Sequence, residues 1–143
     1  MDSIYENRIS RLRKTLAEKD LNVFIVLTEE NRLYLSGFAG EDTQFDESAG
    51  ALIITDKRLI LATDPRFTIQ AQREASGFEI YIYEKGLPKE LPVILKNIDA
   101  KKAGFESKRM SFYQYGEMVK EADNNGLVIE FVQTESKIGR AHV

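Results

Sequence analysis

Apolar and polar positions alternate along this chain with two periods, and the period switches repeatedly from helical to extended. Tyr5, Ile9, Leu12 and Leu16 recur at helical spacing, with Arg8, Arg11, Arg13 and Lys14 on the wet side. Ser3-Ile4-Tyr5-Glu6 reads as a capping box that opens this helix. Leu21–Leu27 is a compact β-branched run, as expected of a buried strand. Thr28 is placed to cap a short helix through Leu35, and Gly37 to end it at positive φ. Two apolar strands, Ala49–Thr55 and Arg58–Thr63, flank the two-residue connection Asp56-Lys57. Asp64-Pro65 then starts a helix whose inner face is Phe67, Ala71 and Ala75, with Gly77 as its stop.

The second half repeats the alternation. Phe78–Tyr83 reads as a strand, and Leu87, Leu91, Leu95 and Ile98 as a helix whose first turn Pro88 and Pro92 disturb. Lys102–Glu106 is a short strand. Ser111-Phe112-Tyr113-Gln114 is a second capping box, ahead of Phe112, Tyr115, Met118/Val119 and Ala122 at helical spacing. Asn124-Asn125-Gly126 ends that helix, and Leu127–Val132 is a last strand. The sum is one α/β domain with a mixed, roughly six-stranded sheet flanked by four or five helices. Residues 136–143 read as a linker-like tail to a domain over 1–135.

Composition narrows the functional classes. With 43% hydrophobic and 30% charged residues, the 143-residue chain has the balance of a globular domain. Its net charge of −3, with bases and acids interspersed, offers no basic stripe for nucleic acid or an anionic membrane. It has no cysteine for disulfide or thiolate chemistry, and its apolar runs are too short to span a bilayer. With no leader pattern after Met1, the expected location is the cytoplasm.

The catalytic inventory is thin. The single histidine, His142, is the penultimate residue, where a fold cannot hold it in a triad. Gly37-Phe38-Ala39-Gly40 leaves a helix instead of opening one, so it is no phosphate cradle. Glu41, Asp42, Asp46 and Glu47 place four carboxylates within seven residues, the donors a hard cation takes. They lack the alternating spacing and turn glycine of an EF-hand, so the first reading is a solvated acidic loop over residues 38–48. Phe38 and Phe45 among those acids suit a segment that packs on a partner, while Tyr34 and Phe38 also suit a core position. Asp64 and Arg66 read first as a helix cap and its neighbour.

Three segments in fixed order carry a resemblance. They are Arg8, Arg11, Leu12 and Arg13 in the opening helix; Asn31, then Tyr34-Leu35-Ser36-Gly37-Phe38-Ala39-Gly40; and Asp64-Pro65-Arg66-Phe67 with Gln70-Ala71. The chain resembles, over roughly residues 4–135, the N-terminal domain of the creatinase/prolidase/aminopeptidase P family. The resemblance implies a ribonuclease-H-like fold without catalytic acids, no cofactor in this chain, and a separate downstream pita-bread domain. There, two divalent ions (Mn, Co or Zn) would activate a hydroxide against the bond before proline. It also implies a homo-oligomer built through this domain, with the loop after Gly-Phe (Phe38, Glu41, Asp42, Phe45 and Asp46) at a neighbouring subunit's active-site rim, and Phe45 foremost. Tyr34, Gly37, Gly40, Asp64 and Arg66 would be structural. The segment Glu41–Ser48 is longer than the family's commoner short connection. Within the resemblance, an Xaa-Pro aminopeptidase acting on peptides with proline second stands ahead of a prolidase or creatinase. A metal-free binding module of a catalytically inactive relative, or a free-standing α/β domain, are the alternatives.

Overall fold

A computed structural model describes residues 1–43 and 48–134. Five helices and six strands follow in order: α1 Ser3–Glu18, β1 Val23–Val26, α2 Glu29–Ser36, β2 Gly50–Thr55, β3 Leu59–Thr63, α3 Thr68–Glu74, β4 Glu79–Ile82, α4 Leu87–Asn97, β5 Lys102–Glu106, α5 Phe112–Asn124 and β6 Glu130–Thr134. The strands form one sheet in the order β4-β3-β2-β1-β5-β6. β2 runs antiparallel to both its neighbours, while β3/β4, β1/β5 and β5/β6 pair in parallel.

This topology follows from the connections. The two-residue turn after β2 can only return the chain antiparallel, whereas a helix bridges each of the parallel pairs β3/β4 and β5/β6, and β1 and β5 become neighbours across the whole intervening run from α2 to α4. Both sheet faces are therefore covered, and β1 (VFIV) is buried along its whole length. One face packs Val23, Ile25, Ile53 and Phe105 against Leu91, Ile94 and Leu95 of α4 and Met118 of α5. The other packs Phe24, Val26, Leu52 and Leu61 against Ile9, Leu12 and Leu16 of α1, Leu35 of α2, and Ala71 and Ala75 of α3.

Several expectations shift. Asp2, not Ser3, caps α1 by accepting the Ile4 N–H at 3.1 Å, and Ser3 becomes the first helical residue. Arg8 and Arg13 leave the wet side: Arg8 donates to the Tyr34 carbonyl (2.7 Å) and lies 4.0 Å over the Tyr34 ring, and Arg13 donates to the Thr55 carbonyl (2.7 Å). Tyr34 is consequently half-buried under an arginine instead of sealed in the core. Asp64 caps a 3-10 turn, Pro65–Phe67, before α3 begins. Both prolines sit inside α4: Pro88 is near its start, where a missing N–H costs little, and Pro92 forfeits one bond while burying its ring. Phe112 is 92% exposed because the capping-box geometry at Ser111 turns it outward, and β6 starts three residues later than its apolar run.

Candidate functional site

Parallel strands end together, so this sheet gathers the ends of β1, β3, β4 and β5 and the start of β2 along one edge. In open α/β sheets that edge is the usual place for ligands. Here it holds a cleft of about 300 Å³. Leu27, Tyr83, Leu87 and Met110 line its apolar part, Pro65 and Pro88 flank it, and Ser48, Asp64, Arg66, Glu84, Arg109 and Gln114 supply polar groups.

Two acids, Glu106 buried and Asp42 partly so, organise the chain behind the cleft. Asp42 is the centre of the first arrangement. Its carboxylate accepts from Arg32 Nη2 (2.9 Å), from Arg109 Nε and Nη2 (3.2 and 3.0 Å), and from the Ala49 N–H (2.7 Å). Arg32 is fully buried, and it also donates to the carbonyls of Leu27 (2.7 Å), Gly40 (3.0 Å) and Gly50 (3.2 Å). Its Nε alone lacks a partner among the described residues. Burial works against the charge on Asp42, but the Ala49 N–H and the two guanidiniums outweigh it and hold its pKa below the ordinary carboxylate value.

Glu106, fully buried at the end of β5, is the second. It accepts from the N–H groups of Leu27 and Thr28, from Thr28 Oγ1 (3.3 Å) and from Asn31 Nδ2 (2.6 Å). None of these partners carries a charge. Burial therefore dominates and raises its pKa, although every hydrogen bond pulls the other way. The two arrangements meet at Leu27, whose N–H goes to Glu106 and whose carbonyl goes to Arg32.

The loop after α2 is consequently fixed at its base. Gly37 adopts φ +85°, and a Cβ there would stand 2.9 Å from the Glu74 carbonyl oxygen. Phe38 is buried, edge-on to Phe67 at 5.8 Å, so its place is in the core. Gly40 lies against the Phe38 ring, where a Cβ would approach to 2.4 Å. The Ala39 N–H is held by Glu74 (2.9 Å), and Asp42 then closes the loop by binding Ala49. The expectation of a wholly exposed acidic loop is corrected on this point: Asp42 is drawn inward because two arginines need a counter-charge. Glu41 stays exposed. Phe45 and Asp46 lie outside the described residues, as do Glu47 and His142.

Asp64 accepts from the Arg66 N–H (2.9 Å) and pairs with its guanidinium (2.8 Å), and that hydrogen bonding lowers its pKa. Tyr83 sits under this pair, its phenol pushed well above the ordinary range by burial and then by the charge of Asp64. Among the described residues no three His, Cys, Asp or Glu side chains converge as a metal site. Asp42 and Glu106 are surrounded by donors, so neither is assigned as a ligand. No helix among the described residues is long and apolar enough to cross a membrane.

Sequence reasoning did not single out Arg32, Arg109 or Glu106. The signal for Arg32 was positional: α2 buries Asn31, Arg32, Leu35 and Ser36, a helical face written mostly in polar residues.

Comparison with known proteins agrees with this architecture. Residues 8–140 match the Creatinase/Prolidase N-terminal domain. An uncharacterized peptidase, YqhT, of Bacillus subtilis (strain 168) is 26% identical over 108 residues, which are 76% of this chain and 29% of that protein. A solved Xaa-Pro aminopeptidase structure from Streptococcus pyogenes superposes with a TM-score of 0.77 at 28% identity, covering 99% of this chain and 98% of that one. The N-terminal domain of the cytoplasmic peptidase PepQ from Mycobacterium tuberculosis H37Rv superposes with a TM-score of 0.80 at 25% identity, covering 94% and 97%. The chain spans between 11% and 29% of the length of the curated relatives it matches. The chain belongs to the creatinase/prolidase N-terminal domain family.

Proposed function

We propose that this chain is the non-catalytic N-terminal domain of an Xaa-Pro aminopeptidase, a cytoplasmic dinuclear metallopeptidase acting on peptides with proline in second position. Residues 1–135 form the domain and residues 136–143 lead toward a separate catalytic domain, which would hold the two divalent ions (Mn, Co or Zn). The domain's own roles are homo-oligomerisation and the presentation of the loop after Gly37-Phe38 at the active-site rim of a neighbouring subunit. The observation that carries this reading is the fixed loop base. Asp42 ties residue 42 to residue 49, and the two arginines fix it to the scaffold, so both ends of the loop are held in place beside the cleft. Glu41, Phe45 and Asp46 then present the loop's charge and ring to the neighbour, while Phe38 and Asp42 hold it from below. Rigid support of a short functional loop is what active-site rims require.

The test compares the purified 143-residue chain with the complete product of its gene, assaying release of the first residue from a peptide with proline second, with added Mn²⁺. The expected result is hydrolysis by the complete product, none by the chain alone, and a large loss of activity when Phe45→Ala is placed in the complete product. Metal-dependent hydrolysis by the isolated chain would overturn the reading.

A further inference from the structure

The cleft at the sheet edge has a chemistry beyond its contact with the loop at Ser48 and Arg109. Among the described residues its charged lining is balanced, with Asp64 and Glu84 matching Arg66 and Arg109 in number. Behind Arg109 the charge is again matched, because Asp42 pairs with it and with Arg32. A ligand of one sign gains no net attraction from such a lining, whereas one carrying both signs meets a partner for each. Between the charges the surface is apolar, made by Leu27, Leu87, Met110 and the two prolines. The volume of about 300 Å³ is at the small end of ligand sites. Among the described residues of the lining the one aromatic ring, Tyr83, is buried with its hydroxyl directed to the Ser48 carbonyl (3.3 Å), so it offers no open face for a nucleobase.

The lip itself is built to exchange partners. The Arg66 side chain is 59% exposed while Asp64 beside it is 16% exposed, so the pair is accessible from the cleft mouth. Asp64 is fixed as a helix cap, and Arg66 is a long side chain held at its outer end. A carboxylate brought to Arg66 and an ammonium brought to Asp64 and Glu84 would restore both charges' partners without new desolvation of an unpaired ion. We propose that this cleft is a binding site for a small zwitterion with an apolar side chain, a free amino acid or a short peptide. Arg66 receives the carboxylate, Asp64 and Glu84 receive the ammonium, and the Leu27–Leu87–Met110 surface receives the side chain.

The site lies wholly within this chain and does not depend on the peptidase reading, so it is tested on the 143-residue protein. The experiment titrates the isotopically labelled chain with four probes and follows backbone amide shifts. The probes are leucine, the dipeptide Ala-Leu, isocaproate (carboxylate only) and isoamylamine (ammonium only). The expected result is saturation below about 10 mM by leucine or Ala-Leu at the amides of Ser48, Tyr83, Met110 and Gln114, with each single-charge probe at least tenfold weaker. Tighter binding of leucine identifies the ligand as an amino acid, and tighter binding of Ala-Leu as a short peptide. Arg66→Gln and Glu84→Gln, both at exposed positions, should each weaken binding at least tenfold without altering the thermal midpoint. No saturation at these amides, equal binding of a single-charge probe, or unchanged affinity in both variants would overturn the assignment. None of these results bears on whether the complete protein is a peptidase.

Discussion

Asp42 and Glu106 are two acids of the same sheet edge, both withdrawn from water and both saturated with donors, yet they titrate in opposite directions. Asp42 faces two guanidiniums; Glu106 faces amides and a hydroxyl. Hydrogen bonds alone do not offset the burial of Glu106, whereas hydrogen bonds plus two formal charges more than offset that of Asp42. The two acids also perform different mechanical tasks. Glu106 joins the end of β5 to the β1–α2 turn, inside the scaffold. Asp42 joins a loop to that scaffold.

The largest effect expected is from Asp42→Ala. It leaves fully buried Arg32 without its counter-charge and releases Ala49, and breaking a buried pair from one side costs about 3–5 kcal/mol. Urea unfolding should show this as a lower midpoint. Glu106→Ala strands the N–H groups of Leu27 and Thr28 and the amide of Asn31, a loss on the order of 3 kcal/mol by the same measurement. Asp64→Ala, by contrast, removes only a cap and an exposed partner, and should cost about 1 kcal/mol. Arg58→Ala breaks the open, solvent-screened Arg58–Glu79 pair and should shift the urea midpoint least of the four. If Asp64→Ala matched Asp42→Ala, the distinction between a buried hub and a surface cap would fail.

Conservative variants sharpen the comparison through pH. Asp42 has a folded pKa below its unfolded value, so its stabilisation is complete above about pH 4 and is lost as pH falls through the folded pKa. Glu106 has the reverse sign. Its contribution is complete below its unfolded pKa, about 4.3, and declines as pH rises through the higher folded pKa. Asp42→Asn should therefore flatten the acid limb of the stability profile, and Glu106→Gln should remove a decline on the other side of it. Unfolding free energies measured across that range check both.

The scaffold was legible in the sequence because its signals are local. The β1 run, the hairpin at Asp56-Lys57, the Thr28 and Ser111 caps and the Gly37 stop each follow from a few adjacent residues. Where those signals were misread, a neighbour competed for the same role, as Asp2 did with Ser3. Asp20 and Asp99 follow α1 and α4 at φ 57°, a conformation more commonly signalled by glycine or asparagine, so those turns carried no cue. The site was less legible because its contacts are long-range. Asp42 and Arg109 lie 67 positions apart, and Thr28 and Glu106 lie 78 apart. Nothing local marks Glu106 as different from any strand-end acid, or Asp42 as different from Glu41 beside it. The family resemblance directed attention to the loop after Gly37-Phe38, and the fold shows that one of its acids, Asp42, points inward.

The loop base is held by an ionised Asp42 between two arginines, next to a carboxyl group that burial makes a weaker acid. Site-resolved NMR titration of the side-chain carboxyl carbons of Asp42 and Glu106 tests it most directly. Asp42 is expected to titrate below the ordinary aspartate value and Glu106 above the ordinary glutamate value. Ordinary midpoints for both, or the reverse order, would contradict it.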